Sequence, residues 1–143
     1  MWSCVPWHVF TADANSMYNN IDTDHAIEVI SWLLDELAPR MPLHYPITAI
    51  KEAMVIIMKN HIFEWGELYF LQLIGTAMGT SAAVMWATLY YYYHEKTVLF
   101  PKYGTQLRYY RHFIDDMFGI WRWDGNLAWN EFCKDVDDFG ILT

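Results

Sequence analysis

Two adjacent acids, Asp115 and Asp116, lie in the middle of Tyr109-Tyr110-Arg111-His112-Phe113-Ile114-Asp115-Asp116-Met117-Phe118-Gly119-Ile120-Trp121. The aromatic and β-branched flanks favour extended strands. Asp-Asp-Met-Phe-Gly suits a tight bend better than a strand start, so the stretch reads as a β-hairpin with the acid pair at its turn. Side chains alternate along a strand, yet at a turn two neighbours can aim at one point. Carboxylates forced together repel, and near neutral pH a divalent cation relieves that repulsion better than a proton does. Hard oxygen donors favour Mg²⁺ or Mn²⁺. An Asp-Asp pair on its own is more often a solvated acidic turn, so the chemistry depends on partners elsewhere in the chain.

The elements that must position the pair can be read in order. Trp7 to Asp13 alternates and reads as a strand ending at an acid, and Asp13 to Ile21 follows as a polar turn. Asp22-Thr23-Asp24 offers N-cap chemistry, followed by apolar residues at helical spacing, Ala26, Ile27, Ile30, Leu33, Leu34 and Leu37. Pro39, Pro42 and Pro46 close that helix. A second helix is expected over Ile47–Lys59, with Ile50, Met54, Ile57 and Met58 inward. His61 to Leu73 reads as a hairpin turning near Gly66. Gly75 and Gly79 bracket a loop before a helix that starts near Thr80-Ser81 and runs into Tyr90 to Tyr93. Pro101 and Gly104 punctuate the return to the acid-pair hairpin. Leu127 to Phe139 suits a closing helix, with Trp129, Phe132, Val136 and Phe139 on one face, and residues 140–143 look like a last strand. No repeat or internal linker is visible. The expectation is one α+β unit, in the order β-α-α-ββ-α-ββ-α-β.

Composition narrows the function. The chain has 143 residues, 55% of them hydrophobic, which suffices for a domain with a sizeable core and excludes a disordered chain. Eight Trp, ten Tyr and eight Phe demand more burial than a small free-standing domain supplies, so the chain reads as a piece of something larger. The net charge of −8 argues against a self-sufficient nucleic-acid binder unless basic parts lie elsewhere. Cys4 and Cys133 form neither a metal spacing nor a disulfide framework and point weakly to a reducing compartment. Met1 to Phe10 lacks the pattern of a signal peptide. Leu68 to Tyr93 carries no charge and is long enough to span a bilayer, with Gly75 and Gly79 in a small-xxx-small pattern. Gln72, Thr76, Thr80, Ser81 and Thr88 dilute it and no basic cluster orients it, so the membrane reading is the minor one and no membrane partner is expected.

Three segments carry a family resemblance. Phe113-Ile114-Asp115-Asp116 between hydrophobic strands resembles the Phe/Tyr-x-Asp-Asp catalytic hairpin of reverse transcriptases. Asp13-Ala14-Asn15-Ser16-Met17-Tyr18-Asn19-Asn20-Ile21 resembles their first palm motif, in the Asp-Val-x-Ser-Leu-Tyr-x-Asn-Ile form of Penelope-like and related retroelements. Gly75-Thr76-Ala77-Met78-Gly79-Thr80 is similar to their Gly-Thr-Ala-Met-Gly-Thr motif. The order and spacing agree, so the likeness covers nearly the whole of 1–143, with motifs near 13–21, 75–89 and 110–121.

The resemblance implies a polymerase palm-like antiparallel sheet packed on helices, in a fragment lacking complete fingers and thumb. It implies an RNA-directed DNA polymerase: two Mg²⁺ (or Mn²⁺) ions on Asp13, Asp115 and Asp116, with the Ala14 carbonyl a possible further ligand, serving attack of a primer 3′-hydroxyl on the α-phosphorus of a deoxynucleoside triphosphate. Tyr18 would lie beneath the incoming sugar and exclude a 2′-hydroxyl; a packed core tyrosine is the alternative. Gly75, Met78, Gly79 and Thr80 would let the backbone approach nucleotide and template; a helix-start turn is the alternative. The implied partners are an RNA or DNA template with its primer and the missing fingers and thumb of a parent protein, in nucleus or cytoplasm, with the isolated fragment inactive. Val84 stands where the family usually has Pro, and Ala87-Thr88-Leu89 where it has Ala-Asn-Leu. A catalytically inactive palm-like remnant or an interaction module is the competing expectation.

Overall fold

The computed structural model describes residues 6–14, 16–123 and 125–137. In chain order its elements are β1 (Trp7–Asp13), α1 (Met17–Asn20), α2 (Thr23–Leu37), α3 (Ile47–Lys59), β2 (Ile62–Trp65), β3 (Leu68–Leu71), α4 (Ala83–His94), α5 (Phe100–Tyr103), β4 (Leu107–Phe113), β5 (Asp116–Arg122) and α6 (Asn126–Asp137). A 3₁₀ turn follows α2 at Ala38–Arg40 and a π-helical turn follows α4 at Glu95–Leu99. The class is α+β. The chain divides into two compact units, one drawn from Met1–Ser16 and His94–Thr143 and the other Met17–Tyr93.

The first unit is built on an antiparallel sheet of order β1-β5-β4. Period-two alternation sorts its side chains. Met117, Gly119 and Trp121 of β5 are buried, and the register puts Phe10 and Ala12 of β1 and Tyr110 and His112 of β4 on that same face. Trp121 lies 4.8 Å from Phe132 and 5.4 Å from Trp129, both on α6, and Phe10 meets the same two rings at 5.4 and 5.3 Å. Trp121 and Phe132 are fully buried, and burying a large apolar side chain contributes roughly 1.5–3 kcal/mol. Gly119 is required by this packing, because a Cβ there would meet the Phe10 ring at 2.3 Å. A polar staple closes α6. The Asp135 carboxylate accepts from Lys102 Nζ and from the Tyr103 hydroxyl, both at 2.7 Å. Burial works to raise the Asp135 pKa, but those two donors outweigh it and hold the carboxyl below its usual range. Burial, then the bond to Asp135, pushes the Tyr103 phenol up to about 12.

The second unit is mainly helical. Asp22 caps α2 by accepting the His25 N–H at 2.9 Å, and Ala26, Val29, Ile30 and Leu33 form the buried stripe. Met54 and Met58 do the same for α3, whereas Ile57, expected inward, is exposed along an apolar groove of about 250 Å³ lined also by Leu34, Met85 and Trp86. On α4, Tyr90 and Tyr91 are buried and Tyr92 is exposed, as four consecutive tyrosines on a helix require. Burial, with the Asp22 charge, drives the Tyr90 phenol far above its ordinary pKa, and its hydroxyl lies 2.8 Å from His25 Nδ1.

Two expectations need correction. Asp13 to Ile21 is not all turn, since Met17–Asn20 forms a helical turn with Met17 buried. Pro101 does not break the chain: it lies where the π-turn passes directly into α5, and Gly104 supplies the stop. Leu68 to Tyr93 runs as expected from a strand through a loop into α4, and no described helix is long and apolar enough to cross a membrane. The expected strand at 140–143 and the Phe139 position lie outside the described residues.

Candidate active site

In the first unit the sheet delivers all three expected acids to one end. Asp13 is the last residue of β1 and pairs in register with Asp116, the first residue of β5. Directly opposed residues on adjacent antiparallel strands share a face, with Cβ atoms about 4.5–5.5 Å apart. The hairpin has a two-residue turn, Ile114-Asp115, closed by the Phe113–Asp116 pair. Ile114 adopts φ +58°, which is II′-like geometry normally given to glycine, and for a β-branched residue it is a true outlier. Asp115 follows, its carbonyl accepting the Ala14 N–H at 3.0 Å, so the ends of β1 and the bend are tied by backbone as well as by register.

The electrostatics are unusual for a surface turn. Asp13 and Asp116 are exposed and Asp115 half-buried, and among the described residues no Lys, Arg or His side chain pairs with any of them. Like charges directly opposite on neighbouring strands destabilise a sheet. Here two are opposed and a third is adjacent, and no described Lys, Arg or His forms an ion pair with them. The donor chemistry fits a hard divalent ion: charged oxygens, reachable from solvent, at a fixed place. The side chains as they stand do not close into a ready site, since no group of three His, Cys, Asp or Glu residues among those described is gathered tightly enough to hold an ion. The backbone, not the rotamers, brings the acids together.

The same sheet face continues away from the acids through Thr11 and Val9 of β1, Phe118 of β5, and Phe113, Arg111 and Tyr109 of β4, all exposed. Arg111 lies over the Tyr109 ring at 5.0 Å, a cation–π arrangement. Aromatic rings and a guanidinium on an open sheet beside unpaired acids were not singled out from sequence; the alternation of β4 was the signal available.

The second unit organises the remaining expected residues around α1. The Gly75 N–H donates to the Ile21 carbonyl at 2.8 Å and the Thr76 N–H to the Tyr18 carbonyl at 2.7 Å. Ala77 N–H reaches His61 Nδ1 at 3.3 Å, and buried Thr76 points its hydroxyl at Met58 Sδ. The two motif glycines differ. Gly75 (φ +83°) is pressed against backbone, where a Cβ would lie 2.4 Å from the Tyr18 carbonyl oxygen. Gly79 (φ +93°) faces open space. Met78 and Gly79 are exposed and Thr80 half-buried, with the Thr80 hydroxyl donating to the Ala77 carbonyl at 3.1 Å as the chain turns into α4. Tyr18 is half-buried, so it is neither a wholly packed core tyrosine nor a free one. No protein-family model matches the chain, and no curated protein matches it.

Proposed function

We propose that the chain is the palm portion of an RNA-directed DNA polymerase of retroelement type, acting on deoxynucleoside triphosphates at a primer 3′ end. One observation carries the reading. Asp13 and Asp116 are paired in register beside Asp115 at a strained bend, and none of the three has a cationic partner among the described residues. Local rules broken twice within four residues are what a functional site looks like and a folding device does not.

In this reading Asp13, Asp115 and Asp116, with the Ala14 carbonyl, would hold Mg²⁺ or Mn²⁺, which would supply charge neutralisation for the oxygens of phosphoryl transfer. The protein's part is placement. β1 and β5 fix the acids against one another, and the exposed aromatic and Arg111 face offers a primer duplex apolar contact and a phosphate partner. Tyr18 blocks a 2′-hydroxyl by bulk. The loop of Gly75, Met78, Gly79 and Thr80 admits nucleotide and template, and Gly79, with no packing reason to lack a side chain, is its best-supported member. An interaction module without turnover is the second reading, favoured by the β2–β3 hairpin, whose strand residues are all exposed.

The reading is tested in two steps. Mn²⁺ titration of the chain, followed by electron paramagnetic resonance, should show binding that the Asp13→Asn, Asp116→Asn double variant loses. In a polypeptide that supplies fingers and thumb, Asp115→Asn should lower primer extension by several orders of magnitude while primer-template binding stays similar, because the acids serve the transition state and phosphate contacts serve binding. Tyr18→Ala should admit ribonucleotides. Near-normal synthesis by Asp115→Asn would remove the mechanism; unchanged sugar selection in Tyr18→Ala would remove only the gate.

A further inference from the structure

We infer that Glu95, acting through His112, is a positioning residue for the acid-bearing hairpin. The inference rests on the palm reading for its purpose, though not for its geometry. Glu95 opens the π-helical turn Glu95–Leu99, and its own carbonyl accepts the Phe100 N–H, the i to i+5 bond that defines such a turn. π-Turns are rare, costly interruptions that recur where a side chain must be aimed rather than merely packed. Here the aimed group is a carboxylate only 3% exposed. Its Oε1 lies 2.6 Å from His112 Nδ1, with the two side chains 4% and 10% exposed. A carboxylate oxygen accepts, so the ring presents its Nδ1–H.

His112 is placed to transmit this. It lies on the covered face of β4, opposite Met117, one residue before the Phe113–Asp116 pair and two before Ile114. The bend therefore has two tethers. One runs from the β1 side, Ala14 N–H to the Asp115 carbonyl. The other runs from beneath, Glu95 to His112. A positive φ at a β-branched residue survives only where its surroundings leave the backbone no alternative, and the Ile114 strain lies between these two tethers. The π-turn runs directly into Pro101, which disturbs the helix ladder by itself, so the position is marked by the buried Glu95–His112 contact rather than by the turn alone. The pair fixes the height of β4, and with it the aim of Asp115 and Asp116.

The experiment compares Glu95→Gln, His112→Gln and the double variant of the 143-residue chain with Val136→Ala, a core truncation on α6 that weakens the same unit and leaves both partners of the Glu95–His112 contact in place. Two quantities are read: native-state hydrogen exchange at the Ala14 amide, and Mn²⁺ affinity. Glu95→Gln should speed Ala14 exchange tenfold or more beyond any change at the central β5 amides, and weaken Mn²⁺ binding several-fold. His112→Gln should do the same, and the double variant should add little to either, because both act through one contact. Val136→Ala should raise exchange across the unit together. If Ala14 moves only in step with the rest of the sheet in both single variants, the positioning role is wrong. A wild-type chain that binds no Mn²⁺ overturns the metal site alone, since the exchange comparison still decides the tether. Should Glu95→Gln not fold, His112→Gln carries the same decision.

Discussion

Replacing Gly75 by alanine should be far more damaging than replacing Gly79, although both are motif glycines with positive φ. At each position a Cβ incurs the left-handed backbone penalty, about 1 kcal/mol. At Gly79 nothing lies within 4 Å, and the cost stops there. At Gly75 the new Cβ would lie 2.4 Å from the Tyr18 carbonyl oxygen and 2.9 Å from the Asn19 Cα, which are backbone atoms and cannot swing aside. That oxygen is also the acceptor for the Thr76 N–H at 2.7 Å, so relieving the clash breaks a buried hydrogen bond. Adding about 1 kcal/mol for that bond and 1–3 for the overpacking brings Gly75→Ala to roughly 3–5 kcal/mol. Urea denaturation followed by circular dichroism would measure both, with the m-value checked for constancy. A Gly75→Ala loss no larger than that of Gly79→Ala would show that the loop does not sit on α1 as described.

Two further outcomes follow from surface and thiol chemistry. Burial, reinforced by the Asp137 charge, pushes the Cys133 thiol above its usual pKa; in a Cys4→Ser background it should react with a disulfide reagent at pH 8 several-fold more slowly than in urea, catching up as the pH rises, and equal rates at pH 8 would refute the shift. The β2–β3 hairpin, with Trp65 77% and Tyr69 73% exposed, is a short two-stranded ribbon with open edges, so Tyr69→Lys should lower light scattering on concentration with little change in melting temperature. Unchanged scattering would place the sticky surface elsewhere.

Much of the fold was legible because it follows from local periodicity. The strand Trp7–Asp13 and the helix Ile47–Lys59 fall where alternation and 3.6-residue spacing put them. The Asp22 cap explains the start of α2 without tertiary contacts. What escaped depended on the third dimension. Met17–Asn20 is too short to be stable alone; Thr76 holds its Tyr18 carbonyl and Gly75 holds that of Ile21 just after it, both from more than fifty residues away. The π-turn at Glu95 has no propensity signal. Its residue is charged and reads as solvent-facing until His112 is placed beside it.

The candidate site was legible in a different way, through motif order rather than through physics. The acid-pair hairpin was visible as a bend between strands, but the pairing of Asp13 with Asp116 belongs to a register joining segments a hundred residues apart. The bend itself contradicts local expectation. Glycine or asparagine would relax φ +58°, and the sequence holds isoleucine there. If the turn were only a connection, Ile114→Gly would relieve the strain and leave everything else in place. In the reading argued above, that strain belongs to a bend held at both ends, by Ala14 and through His112, so that Asp116 stays opposite Asp13 with Asp115 beside it. A flexible residue would make the turn easier to form and the acids harder to hold. Stability and placement therefore pull in opposite directions at this one residue, and the isoleucine stands on the side of placement.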